Sequence, residues 1–539
     1  MRRLGTESAL LVPVLAFVAL FALVPVALLF GEALVRTGSA GALGILANPA
    51  NVRAVDNSVE QGGLSAGFAI ALGYPAGVFL ARYRWPGRSL VRSFLLVPFL
   101  LPSLVVVLGV EDLFGRSGIL AGWLPALAVL GSGLPAIVVA NLLFNVPIVV
   151  LLTAAATEGS SADLEETVAT LGGSPGRAYR DVWAAPSWVG AAAGGLLTFL
   201  FSALSFAPPL LLCGPGCYTV EAQVWFLDTF GLAPTAAGVL SVALVALFAV
   251  PTAAYLIVLG RLRAPRTTRT VRARPVDWRR PGSIALAAET ALMLGASVGL
   301  LGAVLFRAIV PGGPSAPGAA LAGLFAPATS ARLGISATGA ILNTLFFASV
   351  AAGIALVLGI TTGFAIARRA GRARAVGMLL FLPLLISPIV LAFALADFWR
   401  PLLGGESTVW ALVIVSQAIL ALPLALQSLE IPLSGLSSEP RDAARVLGAS
   451  PWGAFVDADL PRVRAGLVTA TLFAFALGLG EFTATYFLVT PSFTTLPVAL
   501  YDLANTRLVA LADAAAGLLL LLSLGVFALI AFGGRRVEL

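Results

Sequence analysis

The sequence of 539 residues contains no histidine and no lysine. Without histidine, the chain has neither a Ser-His-Asp triad nor a zinc site of the HExxH type, and it has no histidine proton relay. Without lysine, it has no Walker A loop, because that loop places a lysine on the phosphates of ATP. Any ATP that this protein uses must therefore be bound by another chain.

Charged residues are also scarce, at 11% of the chain, whereas 59% of residues are hydrophobic and the mean hydropathy is +0.99. Apolar stretches recur, each close to the ~20 residues that a helix needs to cross a bilayer. We therefore predict an all-α polytopic membrane protein with about 12 transmembrane helices. The predicted spans are 9–30, 57–81, 93–114, 133–156, 189–212, 236–260, 284–306, 343–367, 376–398, 408–430, 465–489 and 509–532.

The 33 basic residues are all arginines, and most of them lie between alternate spans. They cluster at 2–3, 82–92, 177–180, 261–280, 368–374, 441–464 and 535–536. Arginine near span ends marks the cytoplasmic side of a membrane protein. The pattern predicts a multi-pass protein of the cell (plasma) membrane with cytoplasmic N- and C-termini. It accounts for the net charge of +7 without a nucleic-acid partner.

Two segments of the chain repeat one another. Residues 57–82 read NSVEQGGLSAGFAIALGYPAGVFLAR, and residues 343–368 read NTLFFASVAAGIALVLGITTGFAIAR. The following spans open with LLVPFLLP and LLFLPLLISP, in the same order. Each half has an even number of spans, so we predict two parallel six-helix repeats related by an axis along the membrane normal. The predicted domains are a first half at 1–260, a basic cytoplasmic linker at 261–282 and a second half at 283–539.

A long polar loop follows the fourth span of each half, at 158–187 and 431–463. The first contains DLEETVATLGGSPGRAYRDVWAAP and the second EPRDAARVLGASPWGAFVDADLP, with LG[GA]SP in common. Acidic residues favour the start of a helix, and Gly172 or Gly448 favours its end in a left-handed conformation. A Ser-Pro pair then favours the start of a second short helix.

Pro186 and Pro461 are expected to end this second helix before the next span begins. A plain connection between two spans needs only a few residues, whereas each of these loops is several times longer. If each loop were merely a connection, its repeated capping pattern would have no explanation. We therefore predict that the loops form a docking surface on the cytoplasmic face.

The second loop resembles the EAA motif of binding-protein-dependent ABC transporter permeases. Asp442, Ala443 and Ala444 precede Gly448 by the family's spacing, and Leu460-Pro461 completes the pattern. In the first copy, Thr167 and Val168 replace the two alanines, and Pro186 comes one residue later. The two loops are therefore not equivalent in sequence. The resemblance covers essentially the whole chain and implies a fused two-half inner-membrane subunit, similar to iron(III)/thiamine importer permeases.

In this family the loop is a coupling helix that fits into a groove of the ATPase. The resemblance implies an ABC ATPase subunit dimer on the cytoplasmic face and an extracytoplasmic solute-binding protein as partners, besides the lipid bilayer. It also implies a non-catalytic transport subunit without a bound cofactor, because ATP and Mg are used by the partner ATPase. The residues it assigns to ATPase coupling are Glu166, Gly172, Ser174, Pro175, Asp442, Ala443, Ala444, Gly448, Ser450 and Pro451. The alternative is an ion-coupled secondary transporter with parallel repeats, which leaves the two loops unexplained.

Polar groups within hydrocarbon are costly, so each is a candidate for the transport pathway. Glu481 lies within ALGLGEFTATYF, and Ser205 takes the aligned place in SALSFAPPLL. The carboxylate of Glu481 is suited to binding a cation, pairing with an arginine or joining two helices. Asp397 lies at the outer end of the ninth span and matches Glu111 and Asp112 of the third. The predicted pathway residues are Ser205, Phe206, Glu481, Phe482, Tyr486 and Asp397.

Several further polar residues favour structural roles. Asn141, Asn145 and Gln417 lie within spans, where such side chains more often join helices than contact a solute. Asn57 and Asn343 are interpreted as helix N-caps. Acidic residues such as Asp397 at the outer mouth either attract a cation or are simply solvated.

The chain has two cysteines, Cys213 and Cys217, on either side of a Gly-Pro-Gly turn. Their predicted external position permits a disulfide, and two free thiols fit the sequence equally well. Two sulfurs without histidine make a weak metal site, so we predict no metal centre.

The solute is the least constrained part of the prediction. The resemblance favours thiamine or iron(III), and the rings of Phe482 and Tyr486 next to Glu481 suit a cationic aromatic molecule. The same rings also suit plain helix packing. An oxyanion such as sulfate, molybdate or phosphonate is the alternative, because Gly-Glu-Phe strings occur in anion permeases of the family.

Overall fold

The computed structural model describes residues 11–95, 97–262, 273–310, 317–367, 386–434, 436, 439–490 and 493–535. It contains two compact units. One consists of Ser39–Arg307, and the other combines Met1–Gly38 with Ala308–Leu539.

The unit Ser39–Arg307 is almost entirely helical. The first helix, α1, starts in the other unit and crosses the boundary at Gly38. The elements up to residue 309 are α1 (Val12–Leu46), α2 (Pro49–Arg82), β1 (Tyr83–Arg84), α3 (Arg88–Phe94), α4 (Val97–Leu100), α5 (Ser103–Phe114), α6 (Ile119–Trp123), a 3-10 segment (Pro125–Gly131), α7 (Gly133–Glu158), α8 (Ala162–Thr170), α9 (Pro175–Ala178), a π turn (Tyr179–Trp183), α10 (Ala184–Ala203), α11 (Ala207–Leu212), a 3-10 turn (Pro215–Cys217), α12 (Val220–Thr229), α13 (Pro234–Leu262), β2 (Arg274–Pro275) and α14 (Pro281–Ile309).

The second half repeats this order of long and short helices. Its elements are α15 (Ala319–Leu324), α16 (Pro327–Leu333), α17 (Ala337–Ala367), α18 (Pro388–Leu403), α19 (Glu406–Ser434), α20 (Glu439–Val446), α21 (Pro451–Ala454), a π turn (Phe455–Asp459), α22 (Leu460–Gly480), α23 (Thr483–Leu488), α24 (Leu496–Asn505) and α25 (Val509–Arg535).

The all-α polytopic prediction is confirmed. Among the described residues, 10 helices are long and apolar enough to cross a membrane. They are α1, α2, α7, α10, α13, α14, α17, α19, α22 and α25, with the turns before α10 and α22 included. The strands β1 and β2 form one short parallel pair.

Two predicted spans differ from these ten. The span predicted at 93–114 is divided among α3, α4 and α5, because Pro98 and Pro102 lack the N–H that a continuous helix needs. The span predicted at 376–398 lies partly outside the described residues, which resume at 386 and contain α18. Residues 263–272 of the predicted linker and the arginines at 368–374 also lie outside the described part of the chain.

The core of the unit Ser39–Arg307 lies where α2, α7 and α10 meet. Ala76 on α2, Val149 on α7 and Ala191 on α10 are all buried there. A Cβ added at Gly77 would lie 2.6 Å from the Cβ of Thr153, so α2 and α7 approach closely only because this residue is glycine. Small residues at such contacts are typical of helix packing in membranes.

The core of the other unit is built by the equivalent helices α17, α19 and α22. Ala355, Ala425 and Ala470 are each fully buried in it. The three long helices that correspond in the two sequence repeats therefore pack together in the same way in each unit.

Each compact unit takes one helix from the opposite half of the sequence. In the first part of α1, the ring of Phe21 lies 5.4 Å from that of Trp399 on α18. On α14, Met293 and Leu294 pack against the core of α2, α7 and α10. Gly38 interrupts α1 with a non-helical φ of 62°. The boundary between the two units falls directly after this residue. The halves at 1–260 and 283–539 stay a prediction about sequence repeats.

Candidate functional site

The loops at 158–187 and 431–463, for which ATPase coupling is predicted, are named the first and second coupling loops after that prediction, and α8 and α20 are their coupling helices. The first coupling loop forms the predicted helix, glycine turn and second helix. Ser161 caps α8, since its hydroxyl accepts a hydrogen bond from the N–H of Leu164. Gly172 has φ 70° and ends the helix, and the Gly173 N–H donates to the Val168 carbonyl at 2.8 Å. Ser174 then caps α9 by accepting from the N–H of Arg177 at 3.3 Å. These contacts are those of a glycine-terminated helix followed at once by a capped one.

The second coupling loop repeats this geometry. Gly448 has φ 92°, and the Ala449 N–H donates to the Ala444 carbonyl at 3.0 Å. The Ser450 hydroxyl accepts from the N–H of Gly453 at 3.0 Å and so caps α21. Residues 435, 437 and 438 of this loop lie outside the described residues.

The expectation that Pro186 and Pro461 end the second short helix is wrong. In both loops a π turn connects the short helix to the next span without interruption. Pro461 occupies the first turn of α22, directly after the π turn Phe455–Asp459. A π turn shifts hydrogen bonding by one residue, so the register changes where the proline lacks its N–H. Each loop is thereby continuous with the span that follows it.

Both coupling helices present apolar side chains to the outside of the unit. Leu171 is 78% exposed and Leu447, at the aligned place, is 88% exposed. Val446 and Leu164 are exposed too. Glu166, Asp442 and Ala443 of the predicted coupling set are exposed, and Ala444 is partly buried. An exposed apolar cluster rimmed by polar groups is typical of a protein contact surface.

A buried ion pair anchors the first coupling helix. Glu165 is 6% exposed, and its Oε1 lies 2.5 Å from Nη2 of Arg82 at the end of α2. The guanidinium of Arg82 lies 3.6 Å from the ring centre of Trp183, in the π turn. These residues hold α8, α2 and the start of α10 together.

The second coupling helix has an anchor of reversed charge. Arg441, at the place aligned with Glu165, lies 2.9 Å from the carboxylate of Asp459, which is 1% exposed. Asp459 lies in the π turn, as Trp183 does in the first loop. The sequence prediction missed these anchors. The opposite charges at aligned positions 165 and 441 are the signal that indicates them.

The fifth span of each half is broken near the predicted pathway residues. Ser205 and Phe206 lie between α10 and α11, and Glu481 and Phe482 lie between α22 and α23. The structure thus brings the aligned residues of the two repeats to the same kind of helix break. Broken helices near a transport site leave backbone groups that polar side chains satisfy.

Glu481 caps the helix that follows the break. Its carboxylate accepts hydrogen bonds from the N–H groups of Ala484 and Thr485, both at 2.8 Å, and from the Thr485 hydroxyl. Gln417 on α19 donates to that same hydroxyl at 3.2 Å. Glu481 is 8% exposed. Its carboxyl group is therefore held by the N–H groups at the start of α23, a partner set that the sequence prediction did not include.

Ser205 takes the place of Glu481 in the first half and bonds differently. Its hydroxyl accepts from Nε2 of Gln61 on α2 at 3.1 Å, and that amide also donates to the Ser202 carbonyl at 2.8 Å. The two breaks are therefore satisfied by unlike groups, a neutral amide in one half and a carboxylate in the other.

Aromatic rings gather beside each break. The ring of Phe482 lies 5.1 Å from Tyr486 and 5.2 Å from Tyr501, and the two tyrosine rings are 4.8 Å apart. In the first half, Phe206 packs against Trp225 at 5.8 Å. Phe482 and Phe206 are both buried, whereas Tyr486 is partly exposed.

The interpretation of Asn57 and Asn343 as helix N-caps is wrong. Asn57 lies inside α2, and its side chain donates to the carbonyls of Gly216 and Tyr218 at 3.2 and 3.1 Å. Asn343 lies inside α17 and donates to the Thr494 carbonyl at 3.0 Å. Each asparagine therefore fastens the segment after the broken span to the second span of its own half.

The amides at Asn141, Asn145 and Gln417 join helices, as predicted. Asn141 on α7 donates to Ser65 on α2, and Asn145 donates to Ser202 on α10, each at 3.3 Å. Hydrogen bonds of this kind commonly stabilise the packing of membrane helices.

The acidic residues predicted at the outer mouth have different surroundings. Asp397 on α18 and Glu111 on α5 are exposed. Asp112 is buried and lies 3.9 Å from Nε of Arg307 on α14. Cys213 and Cys217 are joined by a disulfide, with Cα atoms 5.8 Å apart.

Asp502, which the sequence prediction did not single out, lies on α24 between two spans. Burial raises the pKa of this carboxyl from 3.8 to about 6. Nothing in its sequence neighbourhood indicates the shift, because the burial comes from tertiary packing.

Comparison with known proteins gives relatives of one kind. The chain is 31% identical over 182 residues to molybdenum transport system permease protein ModB of Escherichia coli (strain K12), across 31% of this chain and 80% of the relative. It is 33% identical over 176 residues to thiamine transport system permease protein ThiP of Brucella abortus (strain 2308), across 30% of each protein. ModB of Mycobacterium tuberculosis is 28% identical over 171 residues, across 32% of this chain and 65% of the relative. No protein-family model matches the chain.

These relatives are transport permeases, and the match to ModB of Escherichia coli covers most of that protein. The described helices and the two capped loops fit the same kind of protein. The chain therefore belongs to the binding-protein-dependent ABC transporter permeases.

Proposed function

We propose that this chain is the transmembrane permease subunit of an ATP-driven importer and translocates a small solute delivered by an external binding protein. A separate ATPase dimer would dock on the two coupling loops at the cytoplasmic face. The chain would do no covalent chemistry of its own. ATP and Mg would act in the partner, and nucleotide binding there would shift the permease between its outward-open and inward-open states.

The pair of capped loops carries this proposal. In each loop the coupling helix ends at an exposed leucine, Leu171 or Leu447, beside a left-handed glycine. Each is also continuous through a π turn with the span that leads to a helix break. A push on either loop would therefore be transmitted along a rigid helix to the predicted pathway residues. A secondary transporter driven by an ion gradient leaves these two loops unexplained.

The test is association with an ATPase. The tagged full chain would be co-expressed with the ABC ATPase of the same organism and purified in mild detergent. We expect the ATPase to co-purify, and we expect Leu171→Glu with Leu447→Glu to abolish the association, because charges replace exposed apolar contacts. Leu232→Glu is the matched control, since Leu232 is 84% exposed and lies outside both loops. Uptake by the purified chain alone, driven by an ion gradient, would support the secondary transporter instead.

For the solute, we propose thiamine or iron(III). The resemblance to the ThiP permease supports the first, and the rings of Phe482, Tyr486 and Tyr501 beside a helix break suit a cationic aromatic molecule.

An oxyanion such as molybdate is the second candidate. The similarity to ModB supports it, and Glu481 does not oppose it strongly, because that carboxylate is already held by the N–H groups at the start of α23.

Uptake into proteoliposomes separates the two candidates. Vesicles containing the complete transporter and its binding protein would receive labelled thiamine, iron(III) or molybdate in parallel. ATP-dependent accumulation of thiamine or iron(III) would support the first candidate. Accumulation of molybdate alone would replace it with the second.

A further inference from the structure

The segment between the two sequence halves is attached to the first coupling loop. Strand β2 in this segment pairs with β1 in parallel, so that Tyr83 lies opposite Arg274 and Arg84 lies opposite Pro275. Strand β1 directly follows α2, whose last residue is Arg82. The backbone pairing therefore places Arg274 beside the buried anchor of the first coupling helix.

The side chain of Arg274 completes the contact. Its Nη2 lies 2.6 Å from Oε1 of Glu165, the same oxygen that lies 2.5 Å from Nη2 of Arg82. Glu165 lies in the first turn of α8. The coupling helix is thus held by one arginine from its own half and by a second from the segment that joins the halves.

The two arginines differ in their surroundings. The side chain of Arg82 is 3% exposed, whereas that of Arg274 is 62% exposed. Arg82 by itself neutralises the buried carboxylate. Arg274 is therefore not needed to compensate a buried charge, and its contact with Glu165 ties the joining segment to α8.

After Arg274 the joining segment forms a local turn before the next helix. The carboxylate of Asp277 accepts hydrogen bonds from the N–H of Arg279 at 3.1 Å and from Nε of Arg280 at 3.0 Å. Helix α14 begins directly afterwards at Pro281. Arg274 thus pairs with β1 in a short stretch of chain that leads, through the turn at Asp277, into α14.

The second loop is anchored in another way. Arg441 takes the place of Glu165 and pairs with Asp459, which belongs to the same loop. This pair lies within the second loop, whereas the anchor of the first reaches outside its loop to Arg82 and Arg274.

We propose that Arg274 is a positioning residue for energy coupling: it holds the first coupling loop in place through Glu165, so that the joining segment takes part in transmission from the ATPase. This inference rests on the function proposed above. It makes the two loops unequal: within the described part of the chain, Arg274 of the joining segment contacts the first loop, and the second loop is anchored by Arg441 and Asp459.

The first test measures loop mobility directly. A spin label is attached to Leu171→Cys or to Leu447→Cys in the full chain, where Cys213 and Cys217 are bonded to each other. We expect Arg274→Ala to increase the mobility of the label at 171 and to leave the label at 447 unchanged. Arg279→Ala is the control, because it removes the same charge from the same segment, while the exposed side chain of Arg279 contacts neither Glu165 nor Asp277. Equal spectra for Arg274→Ala and Arg279→Ala at position 171 would overturn the proposal.

The second test measures coupling in the assembled transporter. We expect Arg274→Ala to lower the solute moved per ATP hydrolysed by about two- to fivefold, the range expected for an ion pair with one exposed partner. Arg274→Lys, which keeps the charge, should recover most of the loss. A fall in thermal stability without any change in this ratio would contradict a positioning role.

The two proposals fail in different ways. If no ATPase binds the unmodified chain, the proposed function is lost, while the spin-label comparison still reports whether Arg274 holds the loop. If the ATPase binds and the label at 171 is insensitive to Arg274, only the present inference is lost.

Discussion

At the residue scale, Asn57 and Asn343 illustrate how one side chain can fasten a broken span. Each lies inside a long helix and donates to backbone carbonyls of a distant segment in the same half. Their neighbours Ser58 and Thr344 add to this, since their hydroxyls accept from the N–H groups of Val220 and Leu496 at 2.9 and 2.8 Å. The same two polar contacts, one from an asparagine and one from the hydroxyl beside it, therefore occur in both halves.

Replacement of Asn343 by alanine should destabilise the protein. The buried Thr494 carbonyl would lose its donor, at a cost of about 1–2 kcal/mol, which in a chain of 539 residues corresponds to a lower melting temperature by about 1–2 °C. Thermal unfolding of the purified protein in detergent measures this. The matched control is Ser349→Ala on the same helix, because the Ser349 hydroxyl bonds only locally to the Leu345 carbonyl. An equal melting temperature for both variants would contradict the fastening role.

Asp502 predicts a pH dependence of stability. Burial raises the pKa of its carboxyl to about 6 in the folded protein, above the unfolded value of 3.8. The folded state thus favours the protonated form, so this contribution is fully present below the unfolded pKa and is lost as the pH rises through the folded pKa. At neutral pH the ionised carboxylate costs stability.

We therefore expect Asp502→Asn to be more stable than the unmodified protein near about pH 8, by about 1–2 kcal/mol after allowance for solvent screening. Near about pH 4 the two proteins should unfold at the same temperature, which provides an internal control. Thermal unfolding at a series of pH values measures the difference. A constant difference across that series would show that the effect does not come from titration of Asp502.

At the scale of elements, the coupling loops depend on two left-handed glycines. Gly172 and Gly448 have φ 70° and 92°, a region in which a Cβ costs about 1–2 kcal/mol. Neither glycine has a neighbouring atom within 4 Å of an added Cβ, so backbone strain is the whole effect of a substitution there.

Gly448→Ala should therefore weaken binding of the ATPase by about tenfold through strain in the turn. Affinity of the purified ATPase for the permease in detergent or nanodiscs measures this change. Gly453→Ala is the matched control, because Gly453 lies in the short helix α21 of the same loop. If both variants bound the ATPase alike, the left-handed turn would not be what the partner needs.

At the scale of the whole molecule, each compact unit contains helices from both halves of the sequence. The unit Ser39–Arg307 includes α14, which follows the joining segment. Arg307 at its end lies 3.9 Å from Asp112 and also donates to the Ser117 carbonyl. The other unit includes the first part of α1.

A cut in the joining segment should therefore leave the protein associated. A protease site inserted within 263–272 would divide the chain into two fragments, and we expect them to elute together in mild detergent, because α14 packs in the unit formed mainly by the first fragment. Size-exclusion chromatography with detection of both fragments measures this. Separation of the fragments without denaturant would contradict the shared packing of α14.

How far the sequence predicts this protein depends on whether a feature is local. The apolar runs, the arginine clusters and the LG[GA]SP strings determine the helical membrane class and the capped loops. Hydropathy, helix capping and left-handed glycines depend on residues close together in sequence, so these features can be predicted without a structure. The π turns before α10 and α22 were not predicted, because Pro186 and Pro461 on their own indicate a helix end.

The tertiary structure alone decided which distant groups meet. That Glu165 pairs with Arg82 and Arg274, and that Asn343 fastens Thr494, depends on contacts between residues far apart in sequence, which periodicity does not encode. The same holds for the exchange of α14, because an apolar helix in a membrane carries little information about its neighbour. The sequence determined the helical membrane class and the capped loops, because those depend on neighbouring residues. Packing determined which distant side chains contact one another.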